Sequence, residues 1–196
     1  MIPIVILAGG GSTRMRGRDK LLEDVDGEPL LRRQARRALA AGHAVFVALP
    51  AGDHPRKDAL AGLDLTILTV PEAAEGMSGT MRGAVQQLPD CAAFMMLLGD
   101  LVGIETTDIQ AIFQARKDSP DFLIWRGATT DGKPGHPIVF DGTLRPEFAK
   151  LSGDGGGEPL VKPLKSQTHL TRFADDRARL DLDTPEDWDR WRRGVT

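Results

Sequence analysis

Residues 4–22 read IVILAGGGSTRMRGRDKLL: an apolar run that breaks into three consecutive glycines and then a loop carrying Arg14, Arg16, Arg18 and Lys20. Ile2 to Leu7 read as a buried strand. Gly9, Gly10 and Gly11 let the backbone turn sharply and bring its N–H groups close to an anion. The four cations repel one another unless a polyanion sits among them, and a nucleoside triphosphate fits that need. Glycines alone would suit any strand-to-helix turn; the basic cluster inside this one points to phosphate. It is not a P-loop, because the pattern GxxxxGK[ST] fails at Arg16 and again at Leu21. Nor is it the dinucleotide fingerprint GxGxxG, because counting from Gly9 the last glycine position holds Arg14.

Outward from this loop, short apolar runs alternate with amphipathic stretches. AVFVALP (44–50), LTILTV (65–70), AFMMLLG (93–99), FLIW (122–125), PIVF (137–140) and HLTRF (169–173) read as strands. LLRRQARRALAAG (30–42), SGTMRGAVQQL (78–88) and TTDIQAIFQARKD (106–118) space their apolar residues as helices do. The alternation predicts a three-layer α/β/α Rossmann-like fold with a mostly parallel central sheet. At 196 residues and 41% hydrophobic content, one domain over residues 1–196 is expected, with no repeat and no linker.

Charge and cysteine content narrow the function. A formal net charge of −3 argues against general nucleic-acid binding, which wants a basic face. Cys91 is the only cysteine, so no disulfide framework or thiolate cluster is expected, and a reducing cytoplasm is the natural setting. The apolar N-terminal run breaks at Gly9, too early for a signal peptide or a membrane span. His43, His54, His136 and His169 are scattered, without the spacing of a zinc site.

Two carboxylates stand out. Asp100 follows AAFMMLLG, the most continuously apolar strand, and open α/β sheets bind ligands outside the carboxyl ends of their strands. Magnesium takes one or two protein carboxylates plus phosphate oxygens and water, so a second acid is wanted. In RLDLDTPEDW, Thr184, Pro185 and Asp187 read as the N-cap, first turn and capping box of a helix, which leaves Asp183 free. Asp181 would point to the same side as Asp183, with Leu182 turned to the core. In GMSGTMRG, Ser78 reads locally as an N-cap.

The loop resembles LAGGxSxRMGxxK, the signature of the MobA-like NTP transferases, through Leu7, Ala8, Gly9, Gly10, Ser12, Arg14, Met15 and Lys20. Further similar stretches follow in family order: GMSGTMRGAV (76–85), LLGD (97–100), GHPIVF (135–140), GDGGGEPLV (153–161) and DLDTPED (181–187). The resemblance implies a magnesium-dependent transfer of a nucleoside monophosphate from an NTP to a phosphorylated acceptor, most typically molybdopterin, with release of pyrophosphate. It implies Asp100 and Asp183 as the Mg2+ ligands. Nucleotide contacts would come from Ala8, Gly9, Gly10, Gly11, Ser12, Arg14, Lys20, Gly76 and Ser78. Lys20, Arg14 and Asp100 would carry the catalysis by positioning and charge stabilisation. It also implies a monomer or weak dimer, with a molybdoenzyme or its chaperone as a partner and no nucleic acid or membrane.

Two departures bear on the acceptor. Leu101-Val102-Gly103 stands where the family has GDxP, and Glu158 stands at the arginine of GDxGxR. Losing a positive charge there admits a sugar or alcohol phosphate as acceptor. For the base, Ala8-Gly9-Gly10 resembles the guanylyl form LAGG, while GHPIVF and DLDTPED resemble the cytidylyl branch. The longer match sets the expectation of CTP preferred and GTP usable. An alanine at position 9 is expected to narrow the slot for a purine. A nucleotide-binding accessory protein without catalysis is the reading from another class, and intact Lys20, Asp100 and Asp183 count against it. An NAD-dependent oxidoreductase is disfavoured by Arg14 and by the lack of an acid after Leu49-Pro50.

Overall fold

In chain order the elements of the computed structural model, which describes residues 1–194, are β1 (Ile4–Leu7), β2 (Asp24–Val25), β3 (Glu28–Pro29), α1 (Leu30–Ala40), β4 (Val45–Pro50), α2 (Arg56–Ala59), β5 (Thr66–Val70) and α3 (Met77–Gln86). There follow β6 (Ala93–Leu98), α4 (Thr106–Asp118), β7 (Ile124–Ala128), β8 (Pro134–Asp141), α5 (Arg145–Phe148), α6 (Glu158–Val161), β9 (Thr168–Arg172) and α7 (Pro185–Arg192). Seven strands form one sheet in the order β5-β4-β1-β6-β8-β7-β9, and β2 and β3 make a separate small hairpin.

The sheet has a core on each face, which is why its central strands are apolar at every position. Ile4 and Ile6 of β1 face one side with Leu31 and Ala35 of α1 and Ile109 and Ile112 of α4. Val5 and Leu7 face the other, with Met81 and Ala84 of α3, Phe148 of α5 and Leu160 of α6. A strand buried on both faces reads as a continuous hydrophobic run rather than an alternating one. The expected three-layer, mostly parallel architecture is the observed one. One strand departs from it: β8, which contains PIVF, runs antiparallel to both β6 and β7.

The order places the glycine-rich loop. From β1 the chain moves to β4 and β5 on one side, then returns to β6 on the other, so β1 lies where the sheet's winding reverses. Such a reversal opens a crevice at the carboxyl ends of the strands. Leu7 lies opposite Leu98, so β1 and β6 end together and release the glycine loop and Gly99-Asp100 at one edge. The Gly99 amide donates to the Leu7 carbonyl at 3.1 Å, which fixes the two exits side by side.

The segment after Asp100, where the proline of the resembling motif is absent, is held by α1 instead. Gln34, fully buried, donates to the Leu101 carbonyl. Arg37 donates to the carbonyls of Val102 and Ile104 at 3.1 and 2.8 Å. Among the described residues no helix is long and apolar enough to cross a membrane.

Candidate active site

The glycine loop is held from beneath by a residue the sequence reading did not single out. Arg56, at the start of α2, is 1% exposed. Its Nη1 and Nη2 donate to the carbonyls of Ala8 and Gly10 at 2.5 and 2.7 Å, and its Nε and Nη2 grip both oxygens of Asp19 at 2.7 and 2.8 Å. The fork geometry of a guanidinium suits this double task. The carbonyls of Ala8 and Gly10 are thereby turned toward Arg56. Burial raises the Asp19 carboxyl, but Arg56 outweighs it and holds the pKa below its ordinary value. Ser12 serves the same scaffold: its hydroxyl donates to Asp19 at 3.2 Å and accepts from the Lys20 amide at 3.2 Å. No sequence pattern near Arg56 marks this role, because its partners lie 37 to 48 positions away.

Above the loop lies a cavity of about 690 Å3 lined by Gly9, Gly10, Gly11, Lys20, Gly76, Thr80, Asp100 and Asp154, among others. At its floor the Lys20 ammonium bridges Asp100 at 2.5 Å and Asp183 at 2.7 Å. Burial works against the Lys20 charge, yet the two carboxylates outweigh it and raise the pKa. Arg14 reaches Asp183 at 2.7 Å from the solvent side. Burial raises the Asp183 carboxyl, and Lys20 and Arg14 more than reverse that, leaving it below its ordinary value.

The expectation of four loop cations gathered around one polyanion needs correcting. Arg16 pairs with Glu186 at 2.6 Å and Arg18 with Glu23 at 3.4 Å, so two of the four fan away onto neighbouring acids. Only Lys20 among them lines the cavity. Short loop arginines reach the nearest carboxylate first, and α7 offers Glu186 in its opening turn.

Asp181 and Asp183 arrive at Asp100 through an isolated antiparallel bridge between Leu101 and Asp181. Thr184 caps α7 in a capping box with Asp187, as the sequence implies, which frees Asp183. Asp181 stays exposed, but partial burial, then the charges of Asp183 and Asp100, push its carboxyl above the ordinary range. It therefore feels the charge of the other two carboxylates while remaining at the surface. Asp100 Oδ1 is buried with no hydrogen-bond partner. That orphaned oxygen, a second carboxylate beside it and a cation already seated between them suit a divalent metal with hard oxygen ligands. Among the described residues no group of three or more His, Cys, Asp or Glu side chains is placed to hold a metal by itself, so further ligands would have to come from phosphate and water.

Two further positions depart from their sequence readings. Ser78, read as a helix cap and nucleotide contact, lies one residue inside α3, whose cap is Gly76. It is fully buried, and its hydroxyl donates to the Gly156 carbonyl at 3.2 Å, tying α3 to the GDGGG loop and away from the cavity. Gly76 itself, at φ 102°, packs so tightly under Asp154 that a Cβ would stand 1.8 Å from its carboxylate oxygen. At Gly9 a Cβ would meet Thr80 Oγ1 at 2.6 Å, Thr80 Cγ2 at 2.9 Å and Ala73 Cβ at 3.0 Å. A methyl there presses on Thr80 of α3 and on Ala73, so its first cost is one of packing against these two cavity-lining residues.

The family description "MobA-like NTP transferase domain" matches residues 4–170. A protein of Synechococcus elongatus named "Probable molybdenum cofactor guanylyltransferase" is 36% identical over 166 residues, covering 83% of this chain and 77% of that protein. A protein of the same name from Natronomonas pharaonis is 29% identical over 214 residues, covering 98% and 97%. Among solved structures, Rv0371c of Mycobacterium tuberculosis superposes with a TM-score of 0.81 at 27% identity, covering 99% of this chain and 97% of that one. The same protein has also been solved in complex with manganese, at a TM-score of 0.75 and 23% identity over 96% of each chain.

Proposed function

The chain belongs to the MobA-like NTP transferase family, and from that premise we propose that it transfers a nucleoside monophosphate from CTP, with GTP as a weaker donor, to the terminal phosphate of molybdopterin, releasing pyrophosphate. Nucleotidyl transfer is what the family carries; the donor base, the metal and the acceptor are the finer reading. One observation supports it above the others: the Lys20 ammonium shared between Asp100 and Asp183, at the strand ends, over a loop with its carbonyls tied back.

In this reading an acceptor phosphate oxygen attacks the α-phosphorus as the bond to the β-phosphate oxygen breaks. No general base is required, because the attacking phosphate is already ionised. Asp100 and Asp183 would hold Mg2+, which when bound neutralises the reacting phosphates and aligns them. That the M. tuberculosis relative has been solved in complex with manganese supports the use of a divalent ion. The amides of Gly9, Gly10 and Gly11 receive triphosphate oxygens, as glycine nests do. Lys20, whose ammonium lies between the Asp100 and Asp183 carboxylates, would face the charge that builds on the α-phosphate and the leaving pyrophosphate. Arg14 screens the same charge from the solvent side. Gly76 brings the α3 entry close to the nucleoside.

The base is where sequence motifs and relatives pull apart. GHPIVF and DLDTPED resemble the cytidylyl branch, whereas the relatives carry guanylyl names. Pyrophosphate release is to be measured with molybdopterin, Mg2+ and CTP or GTP side by side. Faster turnover with CTP is expected; a strong preference for GTP overturns the base assignment. Absence of transfer from any nucleotide overturns the acceptor.

A further inference from the structure

A second cavity, of about 670 Å3, adjoins the first: Leu7, Met77 and Leu98 line both. Its apolar lining includes Met81, Met96, Ile138 and Phe140. Its polar lining is cationic, with Glu158 the only acid and that one exposed. Two arginines define it. Arg126 on β7 donates through Nε to the Gly135 carbonyl at 3.0 Å, and Arg179 donates through Nη1 to the Pro134 carbonyl at 2.8 Å. These successive carbonyls set the two guanidinium groups beside each other. Neither forms an ion pair among the described residues, in a chain where most other arginines do.

Two adjacent guanidinium groups without a counter-ion are costly to keep, and more so away from water. Burial, then the charge of Arg179, lowers the Arg126 pKa to about 10. His136 beside them gives no relief, since burial and Arg126 hold its pKa near 3 and the ring neutral. An anion is the ligand that resolves this arrangement, and paired guanidinium forks suit oxyanions. The location adds a length. Arg126 lies opposite Ile138, which lies opposite Met96, so it stands two strands from β6, about 10 Å across the sheet at the usual spacing.

We propose that Arg126 and Arg179 form an anion seat for the acceptor, and that the acceptor is an elongated amphipathic molecule carrying an anionic group separate from the phosphate that is nucleotidylated. Its apolar or aromatic body lies on the methionine and phenylalanine floor, and its reacting phosphate extends past Leu98 to Asp100. The placement rests on the nucleotidyl-transfer reading; the anion seat itself does not. Glu158 then carries no acceptor-binding duty, because the positive charge is supplied from β7 and from the segment before Asp181.

Phenyl phosphate is the probe, titrated calorimetrically into the full-length protein with its nucleotide site saturated by CTP and Mg2+. Binding to the wild type is expected to persist under saturating nucleotide and to weaken tenfold or more in both Arg126→Leu and Arg179→Leu. Arg179 is exposed, so its variant tests the seat even if Arg126→Leu fails to fold, and Arg126→Lys supplies a charge-retaining second variant. Unchanged affinity in these leucine variants, competition by nucleotide, or no binding by the wild type each overturns the seat. In the transfer assay the two variants should raise the acceptor KM and leave the nucleotide KM within twofold. Failure of the wild type to use molybdopterin would sink that acceptor while the phenyl phosphate titration still decides the seat.

Discussion

The two adjoining cavities differ most in how their charges are balanced. Around the glycine loop the innermost cations are paired: Lys20 with Asp100 and Asp183, Arg14 with Asp183, Arg56 with Asp19. Across Leu98 the guanidinium groups of Arg126 and Arg179 bond only to carbonyls and have no acidic partner among the described residues. The first site is a closed electrostatic circuit, which under the proposed function a nucleotide and its metal would open by exchanging partners. The second is an open one that its ligand completes. Their demands on the chain differ accordingly, with rigidity and exchange at one, and net positive charge on an apolar floor at the other.

The contrast breaks first if the carboxylates are not at its centre. Asp100→Asn and Asp183→Asn should each reduce pyrophosphate release by on the order of a thousandfold, the several kcal/mol a metal supplies to such a transition state. Unchanged melting temperatures would confirm that function rather than folding was lost. Near-wild-type turnover by either variant at ordinary magnesium removes that carboxylate from the metal site.

Next in size is the circuit's buried half. Arg56→Ala strands Asp19 and frees the loop carbonyls, and breaking a buried pair costs about 3–5 kcal/mol. A large fall in melting temperature is expected, with a raised nucleotide KM. The pH profile sharpens the assignment. The Asp19 pKa is lowered in the fold, so its stabilising contribution is complete above the unfolded value of about 3.9 and is lost as pH falls through the folded value. Thermal melts of Arg56→Ala should lack that acid-sensitive part. A variant as stable as the wild type at pH 7 would mean that the loop is held otherwise.

Lys20→Ala should lower kcat about a hundredfold, the usual loss for one charge-stabilising donor. Arg14→Ala should lose less, since its side chain is 68% exposed and only shares Asp183. An effect on nucleotide KM alone would make Lys20 a binding residue and leave the exchange of partners without a catalytic purpose.

Legibility from sequence followed the same division. The glycine loop, Asp100 and DLDTPED are each contiguous, and local rules sufficed: a buried strand, a turn of glycines, a capped helix that leaves Asp183 over. The doubly buried strands were legible for the same reason, since burial on both faces writes an unbroken apolar run. Arg56 was not, because its partners are brought to it only by the sheet, and an arginine opening a short helix looks like a solvated one. The Arg126 and Arg179 pair likewise joins β7 to a turn before Asp181. The direction of β8 escaped because PIVF has the same apolar content whichever way it runs. Ser78 misled because a serine at a helix entrance reads as a cap, whereas Gly76 holds that position and Ser78 faces Gly156.

The smallest effect concerns Gly9, where local resemblance and geometry disagree. An alanine there reads, from the motif, as a narrower slot that should disfavour GTP more than CTP. In the fold the added methyl points at Thr80 and Ala73, with both branches of Thr80 within 2.9 Å of it. Thr80 cannot rotate away freely, since its hydroxyl donates to the Gly76 carbonyl at 3.1 Å and its residue is 97% buried by a 3% exposure. The strain therefore falls on the packing of α3 against the loop. Overpacking of this kind costs about 1–3 kcal/mol. Gly9→Ala is expected to lower the melting temperature by a few degrees and to reduce turnover with GTP and CTP by the same factor. Thr80→Ala in the same chain removes the two closest atoms and should restore most of both. Parallel kinetics with the two nucleotides decide the matter: a loss confined to GTP, unrelieved by Thr80→Ala, would return position 9 to the base slot.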